Sequence, residues 1–272
     1  MQHLQSLVSR QGYVYWCGGS IEPAKLEEFA MKMSARYRVA LSPRMRAYDR
    51  KRGRALVSFV VFPHGDKVLW WLLSDGGAGG LADPTSPDFH VSRHAMRADG
   101  HLVFEDYVLV YATKKSPRTV VDARSGKAIE ILKNVSTWTW KIRSPVMAKL
   151  KADVDGYSQR LDYGKEPDEN GDGWGLRRFL VGQRRRPLFA GVRWQIIALH
   201  RYAKDAWQPR RGDWVARHAK LAASYGKRAG TLMPMERVQQ QLPRMIRERV
   251  YDEPPLTIRA LCREGEGDLG RR

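Results

Sequence analysis

Hydrophobic and polar positions read as mixed strand and helix over the first part of this chain, and as helix alone beyond about residue 176. Tyr13-Val14-Tyr15-Trp16-Cys17 is a β-rich run that ends at Gly18-Gly19. Ser20 and Pro23 then mark a helix start, and Leu26, Phe29, Ala30 and Met33 recur at helical spacing, which predicts a helix from about Pro23 to Arg36. Ala55 to Phe62 and Lys67 to Ser74 are β-branched and aromatic runs on either side of Pro63-His64-Gly65-Asp66, a pattern that predicts a hairpin. Its second strand holds the unbroken apolar stretch Val68-Leu69-Trp70-Trp71-Leu72-Leu73. A strand carries such a stretch when both of its faces are covered, so this one belongs in the centre of a sheet. Further strands are expected at Tyr107 to Ala112 and Thr137 to Ile142, with Lys114, Lys115 and Arg118 in a loop or hairpin between them.

Ser144-Pro145 supplies an N-cap and a first-turn proline for a helix carrying Val146, Leu150, Val154 and Leu161. Composition then shifts abruptly, from a stretch rich in Asp, Glu and Gly to a strongly basic one. Leu176, Phe179 and Leu180 begin one helical stripe, and Val192, Ile196, Leu199, Ala203 and Trp207 form a second. Pro187 and Pro209 bound these elements, and Pro234 starts another helix reaching about Val250, which Pro243 should kink or divide. The expected class is α+β: a mixed, mainly antiparallel sheet with helices, followed by a basic, mainly helical part. The expected organisation is a sheet domain over 1–163 with a basic loop at 32–54, an acidic Gly-rich hinge at 164–175, a basic helical domain at 176–250, and a partly disordered tail at 251–272.

Charge changes this picture from a fold to a partner. The chain carries 48 Lys and Arg against 29 Asp and Glu, a formal net charge of +19. Residues 173–250 hold 18 of those bases and only four acids, a net +14, while residues 32–54 hold nine bases and the single acid Asp49. Such stretches displace condensed counterions from a polyanion and bind phosphate backbone with little regard for sequence. Candidate phosphate contacts are Arg44, Arg46, Arg50, Lys51, Arg52 and Arg54 in the first cluster. In the second they are Arg177, Arg178, Arg184, Arg185, Arg186, Arg193, Arg201, Arg210 and Arg211. Trp174, Phe179, Phe189, Trp194, Tyr202, Trp207, Trp214 and Tyr225 lie among the second set, where bases could stack on them, although most such rings bury themselves in cores. The plainer alternative is a solvated cationic surface.

Other chemistry finds weaker support. Gly76-Gly77-Ala78-Gly79-Gly80 lacks the Lys-Ser or Lys-Thr of a phosphate-cradling loop and is expected to be a flexible loop. His90 and His94 could share a helix face, but no third ligand accompanies them. Asp168, Asn170, Asp172 and Gly173 copy the opening of a calcium loop whose last ligand position would fall on Phe179 instead of Glu. Two cysteines, Cys17 and Cys262, cannot make a four-thiolate zinc site, and Cys17 is expected as a small buried hydrophobe. Glu105 and Asp106, with Asp122, Glu130, Lys133 and Lys141, could be cast as a metal-dependent nuclease site, but at spacings of no known motif. No cofactor is expected. Without an N-terminal apolar run or a membrane-length segment, a cytoplasmic protein that does not insert into membranes is expected.

Several phrases carry a resemblance: Tyr13-Val14-Tyr15-Trp16, Lys32-Met33-Ser34-Ala35-Arg36-Tyr37, Trp70-Trp71-Leu72-Leu73, Asp106-Tyr107-Val108-Leu109, Thr137-Trp138-Thr139-Trp140 and Phe189-Ala190-Gly191-Val192-Arg193. Together they resemble uncharacterised basic proteins of proteobacterial plasmids and integrative conjugative elements, a group that brings no active site. The resemblance implies a role in replication, transfer or maintenance of a mobile element. The expectation is therefore a nucleic-acid-binding accessory protein, DNA favoured over RNA, with protein partners in a replication or transfer complex. A nuclease or relaxase-like enzyme and an RNA-binding ribonucleoprotein component are the alternatives.

Overall fold

The computed structural model describes residues 1–121, 128–161 and 175–247. The chain is α+β, with two antiparallel sheets. Its described residues divide into two units, one within Met1–Phe104 and Leu109–Trp138, the other within Glu105–Val108 and Thr139–Val250.

The first unit opens with α1 (Gln2–Gln11), which buries Leu4, Leu7 and Val8 and ends at Gly12. Strand β1 (Tyr15–Ile21) follows, and a 3₁₀ turn at Pro23–Lys25 leads into α2 (Leu26–Tyr37). The next segment was expected as a loop but forms helix α3 (Pro43–Lys51). Its start is locally encoded: Ser42 accepts a hydrogen bond from the Met45 amide at 3.3 Å, and Pro43 takes the first helical position, where no N–H is needed. Strands β2 (Val57–His64) and β3 (Lys67–Ser74) form the expected hairpin, and the short β4 (Arg93–His94) completes a sheet of order β2-β3-β1-β4. Pairing of His64 with Lys67 shortens the turn to Gly65-Asp66, so Pro63 belongs to the strand.

β3 is central, as its unbroken apolar run requires, and both its faces are covered. Val57, Phe59, Val61, Cys17, Val68 and Leu72 meet Ala30, Met33 and Tyr37 of α2, while on the opposite face Trp71 stacks on Phe104 with centroids 5.4 Å apart. Burial pushes the Cys17 thiol up to about 12, so Cys17 stays a neutral packing residue.

The glycine loop after β3 is pinned, which corrects the expectation of flexibility. The Ala55 amide donates to the Ala78 carbonyl and the Ala78 amide to the Gly53 carbonyl, both at 2.9 Å. A Cβ on Gly77 would stand 2.5 Å from the Ala55 nitrogen, so the two backbones pass too closely for any other residue.

The remaining strands are β5 (Leu102–Phe104), β6 (Tyr107–Val121) and β7 (Ala128–Ile142), in the order β5-β6-β7. The last two are far longer than their hydrophobic pattern predicts, and of the loop or hairpin expected between them it is the hairpin that holds Lys114, Lys115 and Arg118, on β6. Every side chain from Ile131 to Thr137 is exposed, so both faces of this stretch meet solvent and no alternation marks it in the sequence.

The second unit is built on α4 (Ser144–Gln159), α5 (Gly175–Gln183), α6 (Ala190–Trp207), α7 (Arg211–Arg217), α8 (Ala219–Tyr225) and α9 (Met235–Arg247). Arg143, not Ser144, is the N-cap of α4, and α9 runs through Pro243 without ending. The predicted stripe of Val192, Ile196, Leu199, Ala203 and Trp207 is buried along its whole length, where α6 packs on α4 and α9. The Gln195 amide spans the end of β7, accepting from the Ile142 amide at 2.6 Å and donating to its carbonyl at 2.9 Å. α4 packs with α6 inside this unit, and the unit begins its main run within β7, at Thr139.

Residues 162–174 lie outside the described residues, and with them Asp168, Asn170, Asp172, Gly173 and Trp174; so do Asp122, Cys262 and the tail at 251–272. Among the described residues no helix is long and apolar enough to cross a membrane.

Candidate functional site

In the first unit, α3 sorts its own charges by helical geometry. Arg44, Ala47, Tyr48 and Lys51, at i, i+3, i+4 and i+7, are all exposed and form one outward stripe, with Arg50 and Arg52 also exposed. The Arg52 guanidinium lies 4.4 Å from the centre of the Tyr48 ring, a cation–π contact. Arg46 faces the other way. It donates to the Tyr13 hydroxyl at 3.0 Å and to the carbonyls of Val57 at 2.9 Å and Val39 at 3.2 Å, so it ties α3 to the sheet and is withdrawn as a phosphate contact.

Asp49, the one acid of this basic stretch, is buried at 2% exposure. It accepts from Arg38 at 2.9 Å and from Arg54 at 3.5 Å. Arg36 is held separately, by Asp88 at 3.0 Å. Asp88 also accepts a 2.5 Å hydrogen bond from the Tyr37 hydroxyl, which burial and then this carboxylate keep protonated by raising its pKa. Arg36, Arg38, Arg46 and Arg54 line a cavity of about 370 Å³ in this unit.

In the second unit the peak of positive charge splits apart. Arg185 is exposed, as are Arg177, Arg178, Arg201 and Arg210, and Arg193 is partly so. Arg184, by contrast, is 5% exposed and donates to Gln241 Oε1 at 2.7 Å and to His200 Nε2 at 3.5 Å. Burial lowers its pKa, and no carboxylate is among these partners. It is a structural arginine, not a phosphate contact. Arg186 donates to Asp106 and to the Tyr107 hydroxyl, each at 3.2 Å, and to Gln183 at 2.8 Å. Arg211 donates to the carbonyls of Ala229 at 2.9 Å and Lys227 at 3.3 Å. Both hold elements together and leave the candidate surface.

The rings divide in the same way. Trp207 and Trp214 are buried, Phe179, Phe189 and Tyr202 are half-buried, and Trp194 is 55% exposed, with Tyr225 also outward. Trp194, Ala198 and Arg201 stand at i, i+4 and i+7 on the solvent face of α6, an indole and an exposed guanidinium two turns apart on the same helix.

The carboxylates proposed for nuclease chemistry do not assemble so readily. Asp106 is engaged by Arg186, and Glu105 sits at the turn before β6 with φ 50°, its carbonyl accepting from Arg143. Glu130 falls on β7, and Asp122 lies outside the described residues. His90 lies in a 3₁₀ turn and His94 in β4, where its ring meets Tyr15 edge-on at 4.8 Å, so the pair shares no helix face.

Sequence reasoning passed over Arg36 and Arg38 and the role of Asp49. The signal was present: a lone acid in a run of nine bases is where several cations find a common partner. Comparison with protein-family models, curated proteins and solved structures gave no match for this chain.

Proposed function

We propose that this protein is a nucleic-acid-binding accessory protein, with DNA the favoured partner, acting in the replication, transfer or maintenance of a mobile element. The observation that carries this reading is the outward stripe of α3, Arg44, Tyr48 and Lys51 with Arg52 over the ring. Cations spaced along one helix face can follow a phosphate backbone, and a ring among them can take a base or sugar. The exposed Trp194 and Arg201 on α6, with Arg185 nearby in sequence, give the second unit a surface of the same chemistry. The choice of DNA and of a mobile element rests on the sequence resemblance.

The test is affinity for duplex DNA, single-stranded DNA and RNA across a salt series. Binding should weaken steeply with salt, and the triple variant Arg44→Gln, Lys51→Gln, Arg52→Gln should reduce the log–log slope by about three. A flat salt response, or a slope the triple variant leaves unchanged, would remove the reading. Equal or tighter binding of RNA would reassign the partner.

A further inference from the structure

The cavity between the end of α2, α3 and the pinned glycine loop has a chemistry of its own. Its wall brings together Arg36, Arg38, Arg46 and Arg54 around a single lining acid, Asp49. Asp88 pairs with Arg36 from outside the wall, Asp83 and Asp75 accept from the lining Gly79 and Leu56 amides, and Arg46 is engaged by Tyr13, Val39 and Val57. That leaves Arg38 and Arg54, which share Asp49, as the two guanidinium groups with edges open to the cleft.

Asp49 does more than offset charge. It is buried, and it holds Arg38 at 2.9 Å and Arg54 at 3.5 Å, while the side chains of those arginines stay 44% and 51% exposed. The carboxylate thus positions two guanidinium groups from behind and leaves their outer edges available to a second acceptor. Arg38 reaches this position from a left-handed backbone, φ 53°, at the α2 C-cap, a conformation uncommon outside glycine and found where a surrounding structure demands it. The rest of the lining includes Leu41, Ala55, Leu56, Val57, Ala78 and Gly79, most of it apolar. The loop that supplies Ala78 and Gly79 is held there by its close backbone pairing with Ala55.

We propose that this cavity binds a phosphomonoester. The two guanidinium groups that share Asp49 present a pair of planar forks, which suit the oxygens of the dianion that a phosphomonoester carries at neutral pH. The volume of about 370 Å³ lies in the range of small-molecule sites and leaves room for a sugar against the apolar lining. The phosphomonoester is either the terminal phosphate of a nucleic-acid strand or a free nucleoside monophosphate. A strand end at this site is a function distinct from tracking an internal backbone, whose phosphodiesters carry one charge each.

The experiment uses the full chain and four probes: one oligonucleotide with a 5′-phosphate, with a 3′-phosphate and with neither, and adenosine monophosphate. A terminal phosphate should tighten strand binding roughly tenfold. Arg38→Gln should abolish that preference while leaving affinity for the unphosphorylated strand within about twofold, and Arg54→Gln should abolish the ratio between phosphorylated and unphosphorylated strands whatever it does to the affinity for both. If the mononucleotide binds and strands with and without a terminal phosphate bind alike, the ligand is the free nucleotide, provided Arg54→Gln abolishes mononucleotide binding. Equal affinity for all three strands together with no mononucleotide binding overturns the proposal, as does a terminal-phosphate preference that both variants retain. If unphosphorylated strands fail to bind but the mononucleotide does so through Arg38 and Arg54, the phosphate site stands and the general nucleic-acid reading falls.

Discussion

Among the arginines, adjacent residues have opposite fates. Arg184 and Arg185 are neighbours in the most basic tripeptide of the chain, yet Arg184 is buried against Gln241 and His200 while Arg185 faces solvent. Arg185→Gln should lower nucleic-acid affinity with stability unchanged within about 0.5 kcal/mol. Arg184→Gln should instead destabilise the fold by roughly 1–3 kcal/mol, because it strands buried acceptors, and should leave the salt slope alone. Thermal or denaturant unfolding alongside binding separates the two. His200 gives the same region a pH dependence. Burial, and after it the adjacent Arg184 charge, lowers its pKa from 6.5 to about 4, so the folded protein holds it neutral while the unfolded chain protonates it at ordinary acidity. The unfolded state therefore binds more protons between pH 6.5 and about 4, and stability falls as pH falls through that window. The loss should approach roughly 3 kcal/mol, complete below the folded-state pKa. Unfolding midpoints of the wild type and of His200→Gln, measured from pH 7 to 4, check it: the variant should lose this part of the acid dependence.

Elements dock through close backbone approaches that can be tested singly. Gly191, in the first turn of α6, lies where a Cβ would come within 2.4 Å of the Trp140 carbonyl oxygen and 2.8 Å of Lys141 Cγ. Its amide donates to Thr139 Oγ1 at 2.9 Å, so helix and strand are joined at this point by hydrogen bonding as well as contact. Gly191→Ala should force α6 away from β7 and cost about 1–3 kcal/mol. Gly182, in the last turn of α5, has nothing within 4 Å of an added Cβ, so Gly182→Ala should stabilise by about 0.5 kcal/mol through backbone entropy and helix propensity. Opposite shifts in the unfolding midpoint are the expected result. At this scale the hairpin of β2 and β3, helix α2 and the stripe of α6 were legible, because their buried faces leave a period in the sequence. The length of β6 and β7 was not, since a ribbon wet on both faces has no apolar alternation to read. Helix α3 hid for a related reason: most of its residues face water as cations, and only its Ser42-Pro43 start announces it.

For the whole molecule, charge is an additive quantity and conformation is not. Neutralising Arg44 and Lys51 in the first unit, or Arg185 and Arg201 in the second, should each reduce the salt slope of nucleic-acid binding by about two, and the combination by about four if both surfaces bind. A combination no larger than either pair alone would assign binding to one unit. Sequence by itself determined the α+β class, the principal helix and hairpin positions, and the concentration of positive charge, because periodicity and composition are sums over neighbouring residues. Tertiary structure alone decided which cations reach solvent. Arg46 is turned inward by Tyr13 and Arg184 by Gln241, partners 33 and 57 residues away in the chain. Asp49 likewise becomes the shared acceptor of Arg38 and Arg54 only when α2, α3 and the start of β2 are folded around it. Burying an arginine requires acceptors to replace its water, and where those acceptors come from distant parts of the chain, only the fold can supply them.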